Sequence, residues 1–186
     1  MATTTRRFTA DDLFDLGEDA PYELIRGVLR EVTPTTGKHG WVTMRFAWQL
    51  GQVVFPEQRG VLYGAETGFV IEVNPDTVLA PDLAFVRRER LSTDDDQGQG
   101  FVSIIPDLVI EVISPSNRRA EIEEKTELYL NAGVALLWWL DPRRHTVTVN
   151  QSGEERRVLM EQDILDGGDV LPGFQISVAE IFRLPF

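Results

Sequence analysis

Glu111 interrupts the apolar run Leu108-Val109-Ile110-Glu111-Val112-Ile113, and Asp82 stands in Ala80-Pro81-Asp82-Leu83-Ala84-Phe85-Val86. Both runs have strand character, and the first is apolar on both faces, the pattern of a central buried strand. A carboxylate taken into such a place is costly or stays protonated unless a cation, a hydrogen-bond donor or a metal meets it. Two such carboxylates on neighbouring strands make a site for a hard divalent cation.

A third group comes from the segment that follows. A helix is predicted from about residue 118 to 132, ended by Gly133. With Lys125 as zero at about 100° per residue, Tyr129 lies about 40° away, Ala132 about −20°, and Ile122 and Leu128 about 60° to either side. Lys125 is therefore in the middle of the apolar stripe, where a lysine must snorkel or meet an anion. The turn Ser114-Pro115-Ser116-Asn117 is short enough for this helix to pack beside the Glu111 strand. Two carboxylates, a cation and an amine suit phosphodiester hydrolysis: the carboxylates hold the cation, which activates water and shields phosphate, and the amine orients water or stabilises developing charge.

Composition narrows the metal. The 186 residues include no Cys and two His, so disulfides, thiol catalysis and Cys-based zinc sites are excluded and a His-rich site is disfavoured. An oxygen-ligand ion, Mg²⁺ or Mn²⁺, is expected. The net charge of −12 argues against a broad non-specific grip on nucleic acid, though not against a narrow basic cleft on an acidic body. The N-terminal Arg6-Arg7 has no apolar segment after it, and no run approaches a membrane span. A cytoplasmic protein of one domain, residues 1–186, is expected.

The elements that must position these groups follow from pattern. Thr9 caps a short helix with Asp12 at its third position. Residues 22–32 form a hairpin turning at Gly27, and Gly37 to Phe55 a long helix stopped by Pro56. One or two strands span 60–73, and another spans 78–86. A polar loop at 87–100 carries Asp94-Asp95-Asp96, read as a solvated run. Strand 107–113, the helix and the apolar strand 134–140 come next. A hairpin about Ser152-Gly153, a short strand and a helical turn at 178–182 complete the chain. Trp138 and Trp139 are read as core or interface. No repeat or linker is visible.

The ordered set Pro81-Asp82, Glu111-Val112-Ile113-Ser114-Pro115-Ser116 and Lys125 with Tyr129 and Gly133 resembles the restriction-endonuclease-like family within the PD-(D/E)XK nuclease superfamily. Tyr22-Glu23-Leu24-Ile25-Arg26-Gly27, His39 and Leu171-Pro172-Gly173-Phe174 fit the same family, and the resemblance runs from about residue 8 to 183. It implies an α/β (α+β) restriction-endonuclease-like core: a mixed β-sheet flanked by helices, here with extra N- and C-terminal strands. It also implies a divalent-metal site, a DNA substrate and Glu23 as a third acidic member. One departure stands out. The superfamily places Lys two residues after the acid of the third core strand, and that position here is Ile113. The resemblance assigns the role to Lys125.

Plainer readings stand beside these. Asp82 caps a turn at strand entry, Glu111 and Lys125 form a buried ion pair, or Lys125 snorkels. Glu23 is a solvent-facing strand residue or the third acid. His39 is an exposed helix-start residue, or a general base or substrate contact at the cleft rim. Glu66 is a core-strand acid or a turn residue. Arg118 and Arg119 meet phosphates or are ordinary surface arginines. The leading reading is a Mg²⁺- or Mn²⁺-dependent DNA endonuclease with Asp82 and Glu111 as metal ligands and Lys125 as the catalytic amine, acting as a homodimer. The alternatives are an inactive binding or dimerisation module on the same fold and a metal-dependent hydrolase of small phosphoesters.

Overall fold

A computed structural model describes residues 7–17, 20–91 and 100–184. In chain order the elements are α1 (Ala10–Phe14), β1 (Tyr22–Ile25), β2 (Val28–Glu31), α2 (Gly37–Val54), β3 (Gly60–Gly64), β4 (Phe69–Glu72), β5 (Thr77–Leu79) and β6 (Leu83–Arg87). A 3-10 turn, Arg88–Arg90, precedes β7 (Leu108–Val112), α3 (Arg119–Ala132), β8 (Leu136–Asp141), β9 (Thr146–Gln151), β10 (Arg157–Leu159), β11 (Ile164–Asp166), β12 (Gln175–Ser177) and α4 (Val178–Phe182).

Six strands form the main sheet in the order β10-β9-β8-β7-β6-β3, and four form a smaller one in the order β2-β1-β5-β4. The β7–β8 pair is parallel, joined across α3; the other pairs of the main sheet are antiparallel. The sheet is therefore mixed, with helices on its two faces, as expected.

Strand β7 is buried along its whole length, and its period of two divides the core. Leu108, Ile110 and Val112 pack with Val42, Phe46, Leu50 and Val54 of α2. Val109 points the other way and packs with Leu128 and Tyr129 of α3 and with Phe69 and Ile71 of the small sheet. Glu111 shares the parity of Val109 and so belongs to the α3 side. The α2 side is closed by an aromatic cluster in which Phe46 meets Trp138 and Phe174 edge-on, at 5.8 Å between centroids in both cases. Trp138 and Trp139 are both core.

Local signals explain the element ends. Thr9 and Asp12 form the expected reciprocal cap of α1. The β1–β2 turn uses Arg26 and Gly27, both with positive φ (50° and 77°), the two-residue turn whose twist matches a hairpin. Gly133 ends α3 at φ 99°, a left-handed cap that favours glycine.

Two expectations need correction. The predicted strand 78–86 is two strands in different sheets, β5 and β6, because the chain crosses between the sheets at Ala80–Asp82. Pro81 has no N–H to continue a ladder. The tail also holds one more strand than expected, β11, which pairs with β12; at three residues it is too short to show a period. The Asp94–Asp96 run lies outside the described residues. Among the described residues no helix is long and apolar enough to cross a membrane.

Candidate active site

One backbone donor at the crossing from β5 to β6, and one on β7 beyond the end of its pairing with β6, are taken by acidic side chains. Ala80 N–H donates to Glu23 Oε1 at 3.1 Å, and Val112 N–H donates to Asp82 Oδ2 at 2.7 Å. Leu83 pairs with Ile110 across β6 and β7. One residue earlier, Asp82 therefore falls opposite Glu111, on the same face. The two carboxylates of the sequence reading are cross-strand neighbours.

Lys125 reaches them from α3. Its Nζ lies 2.8 Å from Glu23 Oε1 and 3.3 Å from Glu111 Oε1. Tyr129, one turn further along the same helix face, donates its hydroxyl to Glu111 Oε1 at 2.8 Å. His39 enters from α2, where the Thr36 side chain accepts the His39 N–H and caps the helix. Its Nε2 stands 3.2 Å from Asp82 Oδ2. Six side chains from β1, α2, the crossing, β7 and α3 thus converge: Glu23, His39, Asp82, Glu111, Lys125 and Tyr129.

Burial sets the electrostatics. Glu111 is 6% exposed, and burial pushes its carboxyl up to about 7; Asp82 and Glu23 push the same way, against the Lys125 charge and the Tyr129 hydrogen bond. Burial also opposes the charge on Lys125, but Glu111 and Glu23 outweigh it and hold the amine above its ordinary range. Burial and the neighbouring Glu111 raise Tyr129 well above the usual phenol value, so it stays a donor. At His39 burial lowers the value, yet the bonds to Asp82 and to the Val112 backbone, with the pull of Asp82 and Glu111, leave it raised.

The donor set suits a hard cation with an incomplete protein shell. Among the described residues no hydrogen bond engages Oδ1 of Asp82 or Oε2 of Glu111. Three carboxylates face one lysine and one histidine, so the cluster attracts a further positive charge. No group of three or more His, Asp or Glu side chains among the described residues is placed to hold an ion. Mg²⁺ ordinarily takes one or two carboxylates and leaves the remaining positions to water and substrate phosphate. Asp82 and Glu111 fit that mode, and a closed protein cage does not.

The other sequence candidates divide. Glu23, at 5% exposure, is not the solvent-facing residue that its alternation allowed, because β1 is covered on both sides. His39 is likewise buried rather than on an exposed rim. Glu66 lies in the exposed turn after β3, with φ 73°, and no bond joins it to the cluster. Arg118 is 84% exposed along its side chain and sits 4.0 Å from Glu121; Arg119 is exposed beside it. Tyr129 is the member whose bond to Glu111 the sequence reading missed. Its place about 40° from Lys125 on the helical projection was the available signal.

Comparison with known proteins bears on the family and the fold. The sequence profile of the Uma2 family, described as "putative restriction endonuclease", matches residues 10–179. A search of curated protein sequences finds no match. Among solved structures, the crystal structure of a "putative nuclease belonging to DUF820" from Anabaena variabilis ATCC 29413 superposes with a TM-score of 0.81 at 21% identity. The match covers 94% of this chain and 97% of that one. At that identity the likeness establishes the shared fold.

Proposed function

Because the chain belongs to the Uma2 family of restriction-endonuclease-like proteins, we propose that it is a divalent-metal-dependent endonuclease that hydrolyses phosphodiester bonds of DNA. The observation that carries this reading is the convergence of Asp82, Glu111 and Lys125, from three separate elements, at a buried point where two carboxylate oxygens are uncommitted.

Asp82 and Glu111 would hold the metal, Mg²⁺ or Mn²⁺. When bound, the ion supplies Lewis-acid polarisation of the phosphate and charge neutralisation. The remaining roles belong to the chain. Glu23 and Glu111 keep Lys125 charged and fix its amine between them, so that it is already oriented when a phosphate arrives and gives a donor to the developing negative charge. The wider superfamily pattern places that amine two residues after the acid of the third core strand. Here the position is Ile113, and α3 supplies the amine instead. Tyr129 holds one oxygen of Glu111 as a donor, and the other oxygen would be the one to serve as a ligand. His39 and the Val112 N–H hold one oxygen of Asp82 in the same way, the outer-shell arrangement that fixes a ligand's orientation. The setting is cytoplasmic.

Calorimetric titration of Mn²⁺ into the wild type, Asp82→Ala and Glu111→Ala tests the metal site, and plasmid nicking with a Lys125→Ala control tests the chemistry. Binding lost in both acidic variants and nicking lost in all three is the expected result. A wild type that neither binds Mn²⁺, with or without DNA, nor nicks plasmid sinks the reading. The cluster is then a structural ion-pair network in an inactive binding module.

A further inference from the structure

Helix α2 has a second apolar face. Its inner face, Val42, Phe46, Leu50 and Val54, is fully buried. On the outer side Met44, Trp48 and Phe55, the capping residue, are exposed, and the partly buried Trp41 and the buried Gly51 complete intervals of three, four, three and four with them. That is the strict seam spacing of a helix packed on another helix, narrower than the stripe needed to face a core. Among the described residues no element covers its middle. Met44 is 71% exposed, Trp48 62% and Phe55 63%. A Cβ on Gly51 would stand 2.8 Å from the Phe55 ring, so this ring closes the gap at Gly51 and the stripe is continuous. Beyond Phe55 the surface continues onto edge strand β3, where Val61 is 39% exposed and lines a pocket with Phe55, Gly60 and Leu91 and with the polar Gln58 and Arg88.

We propose that this stripe is the seam of a symmetric homodimer, in which α2 of one copy packs against α2 of a second copy of this chain.

Charge and area select this occupant. The chain carries a net charge of −12, so most faces of two copies repel. Residues 37–54 contain no Asp or Glu, and their basic residues are engaged internally: Lys38 Nζ donates to the Pro142 carbonyl and Arg45 Nε to the Glu180 carbonyl at 2.9 Å. The helix therefore adds no carboxylates of its own to a contact between two acidic bodies. At ~200 Å² for each large side chain, Met44, Trp48 and Phe55 alone expose on the order of 400 Å² per copy. With Val61 and the exposed part of Trp41 added, complete cover of the stripe on both copies would bury on the order of 1,000 Å² in total, the size at which specific interfaces begin. Trp, Met and Phe are also the residues that concentrate at interface centres. The proposal stands on this surface alone and is independent of whether the cluster at Asp82 binds metal.

Sedimentation equilibrium from about 1 to 100 µM tests it, a range that brackets micromolar dissociation constants. The wild type is expected to sediment as a dimer, twice the 21.0 kDa chain mass. Met44→Glu and Trp48→Glu should raise the dissociation constant at least about 30-fold, as loss of an interface hot spot does. Trp48→Ser, which adds no charge, should weaken it in the same direction. Val73→Glu, at a site 69% exposed and off the stripe, should leave it unchanged. Circular dichroism confirms that each variant is folded. A wild type that stays monomeric at the highest concentration overturns the proposal, as does a dimer indifferent to the α2 substitutions. A monomer whose affinity for a single-stranded oligonucleotide falls in Trp48→Ser also overturns it and makes the face a base-stacking platform.

Discussion

Lys125 and Glu23, 102 positions apart in the sequence, meet at 2.8 Å. Their contact ties α3, which flanks the main sheet, to the central strand of the small one. It also fixes the lysine's charge state, since the amine has two carboxylates within reach and little water.

Removing the amine should therefore be more damaging than removing an acid. Lys125→Met leaves Glu23 and Glu111 facing each other without a cation and is expected to cost about 3 kcal/mol. Lys125→Met combined with Glu23→Gln should recover a substantial part. Urea unfolding of the two single variants and the double variant gives the coupling energy. A sum of independent effects would mean that the contact has no energetic weight.

Stability should depend on pH through Glu111. Its folded value is raised, to about 7 from an ordinary 4.5. Its contribution is thus complete below the unfolded value and is lost as pH climbs through about 7. In metal-free protein, chemical denaturation between pH 5 and 8 should show a decline that Glu111→Gln flattens. An identical slope in the two proteins would contradict a raised Glu111.

At the surface the sign reverses. Arg156 holds both oxygens of Glu123, at 2.9 and 2.7 Å, and this bond keeps Glu123 below its ordinary value. The stabilisation is present above the unfolded value and disappears as pH falls through the folded one. The pair is partly exposed, so Arg156→Ala should cost below about 1 kcal/mol, and the difference from wild type should vanish in acid. A larger loss that persists at acid pH would trace to the bond from Arg156 Nε to Asn150 Oδ1.

His39→Ala tests the support of Asp82. The substitution leaves both proposed ligands in place and removes a partner at 3.2 Å. Mn²⁺ affinity is expected to fall about 10- to 100-fold, the usual effect of losing an outer-shell partner, with the fold intact by circular dichroism. Unchanged affinity would show that Val112 alone orients the carboxylate.

Much of this was legible in the sequence because the strongest signals were violations. An acid inside the β7 run and a lysine at the centre of the α3 stripe each broke a pattern that burial otherwise enforces, and both belong to the cluster. Glu23 was less legible, since alternation with Tyr22 and Leu24 describes a half-exposed strand equally well. Its burial depends on the small sheet, assembled from strands distant in sequence. The break at Pro81 was hidden because residues on both sides are apolar and buried, so two strands in two sheets read as one. The outer stripe of α2 was visible as tryptophans near the helix, but only the packed structure shows which face is inward.

The dual employment of Glu23 and Asp82 has an evolutionary consequence. Glu23 caps the Ala80 N–H at the crossing, and Asp82, itself in the crossing, caps the Val112 N–H of β7, so the fold retains each of them whether or not the cluster cleaves DNA. Finding these two acids in a relative therefore diagnoses an intact joint between sheets and says nothing of enzymatic competence. On the proposed function Lys125 carries the chemistry as well, and because its loss strands Glu23 and Glu111, a relative without the amine is expected to carry a neutral residue such as Gln at one of those two positions.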